Sequence, residues 1–325
     1  MLSRVADALY WMNRYVERAE NYARFLDVNF NLSLEMPPGG TEQWKPVIVT
    51  TGDYNLYEST HDNVDKTSVI HFLGFDENNP NSIYNSICNA RENARAIRPD
   101  ITREVWEQIN SLYYHVREGV NKKQWEKHDP RNYFLEVKKS CQLLYGIFDS
   151  TISRTEGYHF GKIGQLIERA DKTSRVLDVK YHMLLPSVEE VGSPLDLVQW
   201  ASLLKSVSAY DMYRKKRGKL SPLFISEFLI FDKEFPRSMM NCLEEAEESL
   251  QAITGSSQGY ANMAEKRLGR LKSNLEYADI EEVFNVGLHE YLDNFQLELN
   301  EVSNAIYLTF FSWDNFSNQT QTTNQ

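Results

Sequence analysis

The sequence predicts an all-α protein, a multi-helix bundle built from two tandem, pseudo-symmetric halves. Three observations carry that prediction. Apolar residues recur at helical spacing along nearly the whole chain, prolines fall between the periodic segments, and several blocks of sequence occur twice in the same order. Apolar side chains make up 42% of the 325 residues, enough for a sizeable core.

The first element is the helix carrying "ALYWMNRYVERAENYARFLDV". Val5, Leu9, Met12, Val16, Ala19 and Ala23 share one face, and Trp11, Tyr15, Tyr22 and Phe25 widen the apolar arc past half the circumference. Such a helix belongs at the centre of a bundle. Residues 36–81 read as a long loop with short helical pieces, and "KPVIVTTGDY" at 45–54 is the one β-like stretch. Two helices follow, "NSIYNSICNARENARA" and "ITREVWEQINSLYYHVREGV", the latter with Val105, Ile109, Leu112 and Val116 in register. Pro80, Pro99, Pro130, Pro186, Pro194, Pro222 and Pro236 mark the breaks, where a residue without an N–H is tolerated.

The second half repeats the first. "YVERAENYARFLDV" at 15–28 returns as "LIERADKTSRVLDV" at 166–179, and "FLGFDENNPNS" at 72–82 returns as "FLIFDKEFPRS" at 228–238. Gln43-Trp44, Tyr54 and Tyr57 match Gln199-Trp200, Tyr210 and Tyr213 at the second offset. The reading is a tandem duplication: 1–150 as a first half containing the 36–81 loop, and 151–313 as a second half packed against it in one globular unit. Residues 314–325, "DNFSNQTQTTNQ", have the composition of a disordered tail. In the repeated Phe-Leu-x-Phe-Asp block, Ser82 and Ser238 are expected to cap the helices that follow.

Composition excludes several classes of function. A net charge of −11 argues against a nucleic-acid surface. The short run "RKKRGK" at 214–219 reads as a solvated helix end. Cys88, Cys141 and Cys242 are too few and too scattered for a disulfide framework. Charges at Arg4, Asp7 and Arg14 interrupt any signal-peptide core, and no apolar run reaches the ~18–20 residues of a membrane span. A cytoplasmic location, with no membrane and no nucleic-acid partner, is therefore expected. P-loop, HExxH and dinucleotide-binding signatures are missing, so no cofactor is expected.

What remains is the Glu-Arg element. Arg18 lies among Trp11, Tyr15, Tyr22 and Phe25, so its guanidinium points into protein and needs a carboxylate. The repeat offers one. If the halves pack about a pseudo-two-fold axis, Glu17 faces Arg169 and Glu168 faces Arg18. Arg14, Glu20, Asn21 and Arg24 flank the first copy, and Asp171 and Arg175 the second. A third segment, with Arg91, Glu92, Asn93 and Arg95, echoes them, and all three could line one polar cavity. Paired, dry side chains there would mean a structural role, and a solvent-connected cavity would mean a bound anionic or zwitterionic ligand. No metal site is expected in the Glu-Arg elements, because the seven histidines show no clustered ligand spacing. His159 and His289 read as satisfied helix-packing residues.

These blocks, together with "GKIGQLIERADKTSRVLDVKYHMLL", "EFLIFDKEFPRSMMNCLEEAEESL" and "GLHEYLDNFQLELNEV", resemble the alpha-E family over essentially the whole chain. The resemblance places the family's named motif on Glu17-Arg18 and Glu168-Arg169, and its ENAR segment on Glu92 to Arg95. It implies a bacterial setting beside a circularly permuted ATP-grasp protein and a transglutaminase-like protein, in amide-bond or peptide chemistry. Three functions are then open. The chain is a non-catalytic subunit that docks the ligase or presents a peptide substrate to it, an enzyme or anion-binding protein using a central Glu/Arg cavity, or a duplicated bundle with no site. The acid–base form of the second needs a glutamate with a raised pKa, which adjacent arginines oppose.

Overall fold

Residues Ser3–Glu35 form one long helix, α1, in the computed structural model, and its central turns are buried on nearly every side. The structure describes residues 1–35, 44–127, 129–182, 192–256 and 259–312, with helices as the regular elements throughout. The polar tail expected at 314–325 lies outside them.

After α1 come α2 (Lys45–Thr51), α3 (Tyr54–Thr60), α4 (Lys66–Gly74), α5 (Ile83–Ala96), α6 (Arg103–Asn121) and α7 (Arg131–Thr151). A second long helix, α8 (Glu156–His182), opens the remainder: α9 (Pro194–Ser206), α10 (Tyr210–Arg217), α11 (Pro222–Phe231), α12 (Met239–Thr254), α13 (Met263–Tyr277), α14 (Ile280–Val286) and α15 (Leu288–Ile306), then a π turn, Tyr307–Phe311. Of the region 36–81, expected to be a long loop with short helical pieces, residues 36–43 lie outside the described residues and 44–81 carry three short helices, with the β-like stretch falling on α2. Pro46 explains the difference, because it suits the first turn of a helix and would interrupt a strand. Val47 and Ile48 are buried against the bundle, so tertiary packing overrides their β propensity.

Helix starts are written in the sequence. Pro46, Pro194 and Pro222 sit in first turns. Ser82 and Ser238 accept hydrogen bonds from the amides of Asn85 and Asn241, as the Pro-x-Ser corners predict. The basic run 214–217 occupies the exposed last turn of α10, where cations complement the helix dipole.

The helices α1 and α8 lie side by side at the centre. α5, α7 and α9 pack on α1, while α12, α15 and α2 pack on α8. Their contacts advance in the same direction, from Leu9 against Gly157 to Glu17 with Arg169, so the two run parallel. Glycine sets the closeness of this contact: a Cβ on Gly164 would lie 2.2 Å from the Tyr10 carbonyl oxygen. Among the described residues no helix is long and apolar enough to cross a membrane.

Candidate functional site

Parallel packing of α1 on α8 brings the two Glu-Arg steps together, and they cross. Arg169 donates from Nε to Glu17 Oε1 at 3.1 Å and from Nη2 to Oε2 at 2.9 Å. Arg18 donates from Nε to Glu168 Oε1 at 2.7 Å and from Nη2 to Oε2 at 3.1 Å. Both are forked guanidinium–carboxylate pairs, and both glutamates are fully buried. The crossed partners are those the sequence suggests.

Around Glu17 the site is completed by Asn21, which donates to Oε1 at 3.0 Å, and by Arg237 from the corner before α12. Arg237 bridges two carboxylates, reaching Glu17 at 2.9 Å and Glu20 at 3.0 Å. Glu20 also holds Arg24 one turn on, at 2.5 Å, and Arg24 donates onward to Ser208 Oγ. Gln165 reaches Glu17 from α8 at 3.4 Å.

Around Glu168 the partners differ. Arg14 donates from Nε at 3.0 Å while its guanidinium lies 4.9 Å from the Trp11 ring centre. Lys172 approaches at 3.5 Å and also pairs with Asp171 at 2.9 Å, and Arg175 forks onto the same Asp171 at 3.0 Å. Arg18 donates its remaining edge to Asn81 at 2.6 Å. Asn81 donates to Asp53, whose other oxygen accepts from the buried Tyr22 hydroxyl.

These surroundings fix the charge states. Burial opposes ionisation of Glu17, yet Arg169 and Arg237 hold it well below the usual carboxylate range. Glu168 is likewise driven down against its burial by Arg18, Lys172 and Arg14. For Asp171 burial is outweighed by Lys172 and Arg175, and its pKa falls to about 2. Burial, aided by Arg237, lowers Arg24. Nearby, burial pushes the Cys242 thiol up to about 12 and raises Cys141 and Tyr145, so none of the three is an activated nucleophile.

The third segment is placed elsewhere. On α5, Arg91 donates to Asn110 and lies 4.5 Å from the Tyr113 ring centre. Glu92 and Arg95 pair with each other on the exposed surface, and Asn93 bonds its own helix. The two ER helices form one network without them. Sequence reasoning passed over Arg237, Asn81, Lys172, Gln165, Asp53 and Tyr22. The signal for two of them was present: Arg237 and Asn81 occupy matching places in the repeated corner block.

The network is tightly paired, and two cavities that the described residues line lie apart from it. One of about 320 Å³ lies between Ser3, Phe160, Thr254 and Phe310, and one of about 380 Å³ between Leu9, Asp100, Thr151 and Gly157. Arg14, Arg18, Arg169 and Arg175 do reach solvent, with side chains between 11% and 23% exposed.

Of the two histidines expected to be satisfied packing residues, His289 is satisfied and His159 is not. Nδ1 of His159 is buried without a hydrogen-bond partner. His289 donates or accepts at 2.7 Å with Asp178 and lies 3.8 Å from Asp293, and Asp178 raises its pKa.

Residues 1–311 match the profile of a family described as a predicted alpha-helical domain with a conserved ER motif, alpha-E. Curated relatives include the Uncharacterized protein Mb2597 of Mycobacterium bovis and the Uncharacterized protein Rv2567 of Mycobacterium tuberculosis, each 25% identical over 329 residues. These alignments cover 94% of this chain and 35% of the relative, so the chain spans about a third of the length of the curated relatives it matches. No solved structure matches the chain.

Proposed function

We propose, for a chain that belongs to the alpha-E family, that the Glu–Arg network binds a small anion, a carboxylate or a phosphate group, at its solvent edge. One observation carries this reading. Among the described residues the network brings seven cations (Arg14, Arg18, Arg24, Arg169, Lys172, Arg175 and Arg237) to five carboxylates (Glu17, Glu20, Asp53, Glu168 and Asp171). Uncompensated buried charge is costly, and here the surplus is positive in a chain whose net charge is −11. An anion at the partly exposed arginine side chains offsets that surplus, and guanidinium donors suit carboxylate and phosphate oxygens.

The same charge states speak against acid–base catalysis. Glu17, Glu168 and Asp171 stay ionised far below neutral pH, so they have no proton to donate and are weak bases. Binding is the better role for the site. A second reading, a subunit serving an ATP-grasp-type ligase and a transglutaminase-like protein in amide chemistry, is favoured by the length of the relatives. In them the matching segment is about a third of a longer chain. The readings are compatible, since a peptide presented for ligation carries a carboxylate.

Tandem duplication belongs to this proposal, with halves at 1–150 and 151–313, and reciprocal contacts support it. Shifting by 151 maps Glu17–Arg169 onto Glu168–Arg18 and Glu20–Arg24 onto Asp171–Arg175. Shifting by 156 maps the bond from Tyr57 to the Asn63 carbonyl onto that from Tyr213 to Lys219. It also maps Gly52, at φ +81°, onto Ser208, at φ +55°.

The test is calorimetric titration of the full chain with inorganic phosphate and with glutarate, at constant ionic strength, beside Arg14→Gln. Glu168 keeps Arg18 and Lys172 in that variant, so the fold is retained. Saturable binding weakened at least about tenfold, ~1.4 kcal/mol, supports the reading. Absence of heat with both anions in the unaltered protein would leave the network a structural one.

A further inference from the structure

We propose that Asp178, His289 and Asp293 form a binding site for one divalent first-row transition-metal ion, joining α8 to α15. The ligand-type atoms of all three lie within 4.8 Å of one another. His289 and Asp293 are one helical turn apart on α15 and so share a face, and Asp178 meets them from α8. The site lies apart from the anion site proposed above and does not depend on it.

Comparison within the chain shows what is unusual here. At the offset of 151 the counterpart of Asp178–His289 is Asp27–Lys138, an ion pair at 3.1 Å. The first half thus meets the need for a cation at this contact with lysine, which cannot ligate a metal while charged. In the second half the cation is replaced by an imidazole. Gln142, which donates to Glu20, is replaced at the same offset by Asp293. Both substitutions add ligand atoms. His289 is flanked by both carboxylates, its Nδ1 2.7 Å from Asp178 and its Nε2 3.8 Å from Asp293. A divalent cation can take one donor atom from each of the three side chains.

The donor set, one imidazole nitrogen and two carboxylate oxygens, suits zinc, manganese or cobalt(II), with water in the remaining positions. Binding requires a bare ring nitrogen, so the metal displaces a proton, and uptake weakens as pH falls. Asp293 is more than half exposed and free to swing inward, which brings the three donors to coordination distance.

The full chain, stripped with chelator and dialysed, is titrated with Zn²⁺ alone by calorimetry, and its Co²⁺ complex is followed by visible absorption. One tight equivalent is expected. Affinity should be lost in His289→Ala and fall at least about tenfold in Asp293→Asn, whose exposed side chain leaves folding intact, as circular dichroism checks. No saturable Zn²⁺ binding in the unaltered protein, or unaltered affinity in either variant, overturns the proposal.

Discussion

Glu17, Glu168 and Asp171 each carry a charge that burial disfavours and neighbouring cations hold in place, so protons compete directly with the fold. Their folded pKa values lie below the ordinary 4.5 and 3.8, so the unfolded chain binds protons first as pH falls. Stability from these groups is complete above pH ~5 and declines as pH drops from about 4.5 through the folded values. Asp171 alone, at about 2, contributes on the order of 2 kcal/mol that acid removes. Urea melts from pH 7 to 3 should show a plateau and then a steep fall below pH ~4.5. A flat profile to pH 3 would mean the carboxylates are not clamped. At this scale the sequence was legible where one residue constrained another. A buried Arg18 needs a carboxylate, and the repeat supplied Glu168. Arg237 and Asn81 escaped because they sit in a corner whose helix-stop role already accounted for its aspartate, proline and serine.

Among the elements, α1 and α8 decide the architecture, and the closeness of their contact rests on small residues. Gly164 and Gly146 make opposite forecasts for one substitution. In Gly164→Ala the new methyl would lie 2.2 Å from the Tyr10 carbonyl oxygen, a backbone atom that can yield only if the two helices part. Overpacking of that kind costs at least about 2 kcal/mol and should also loosen the ion pairs one turn further along. Gly146, exposed on α7, has nothing within 4 Å of an added Cβ, so Gly146→Ala should stabilise by roughly 0.5–1 kcal/mol through helix propensity. Denaturant midpoints of the two variants check both signs at once. The element types were readable from apolar spacing nearly everywhere. The exceptions, α2 to α4, are only seven to nine residues long, too short for a periodicity to declare itself; packing holds them, α2 against α8 and α1, α4 against α1, and α3 against α2.

For the whole molecule, the question is whether two halves of one chain can come apart. Taking the proposed halves as residues 1–150 and 151–312, each contributes one member to the central ion pairs: Glu17 with Arg169, Arg18 with Glu168, Arg14 with Glu168, and Arg237 with both Glu17 and Glu20. Apolar packing crosses the same line, since one continuous core includes Leu9, Val16 and Leu26 together with Ile163, Leu166 and Leu177. Unfolding either segment alone would break both crossed pairs and leave one buried glutamate, Glu17 or Glu168, without its crossed arginine, at roughly 3–5 kcal/mol for each broken pair. It would also expose the apolar face of the surviving central helix. A half-folded intermediate is therefore penalised twice, and the chain should melt as a unit despite being larger than most two-state domains. Differential scanning calorimetry of residues 1–312 should give one peak with a calorimetric-to-van't Hoff enthalpy ratio near 1. In Arg18→Met with Arg169→Met the crossed pairs are gone while the rest of the core remains, so the peak should move down and broaden. Two resolved peaks in the unaltered protein would mean that the halves are separate domains and that the crossed Glu-Arg pairs do not couple them.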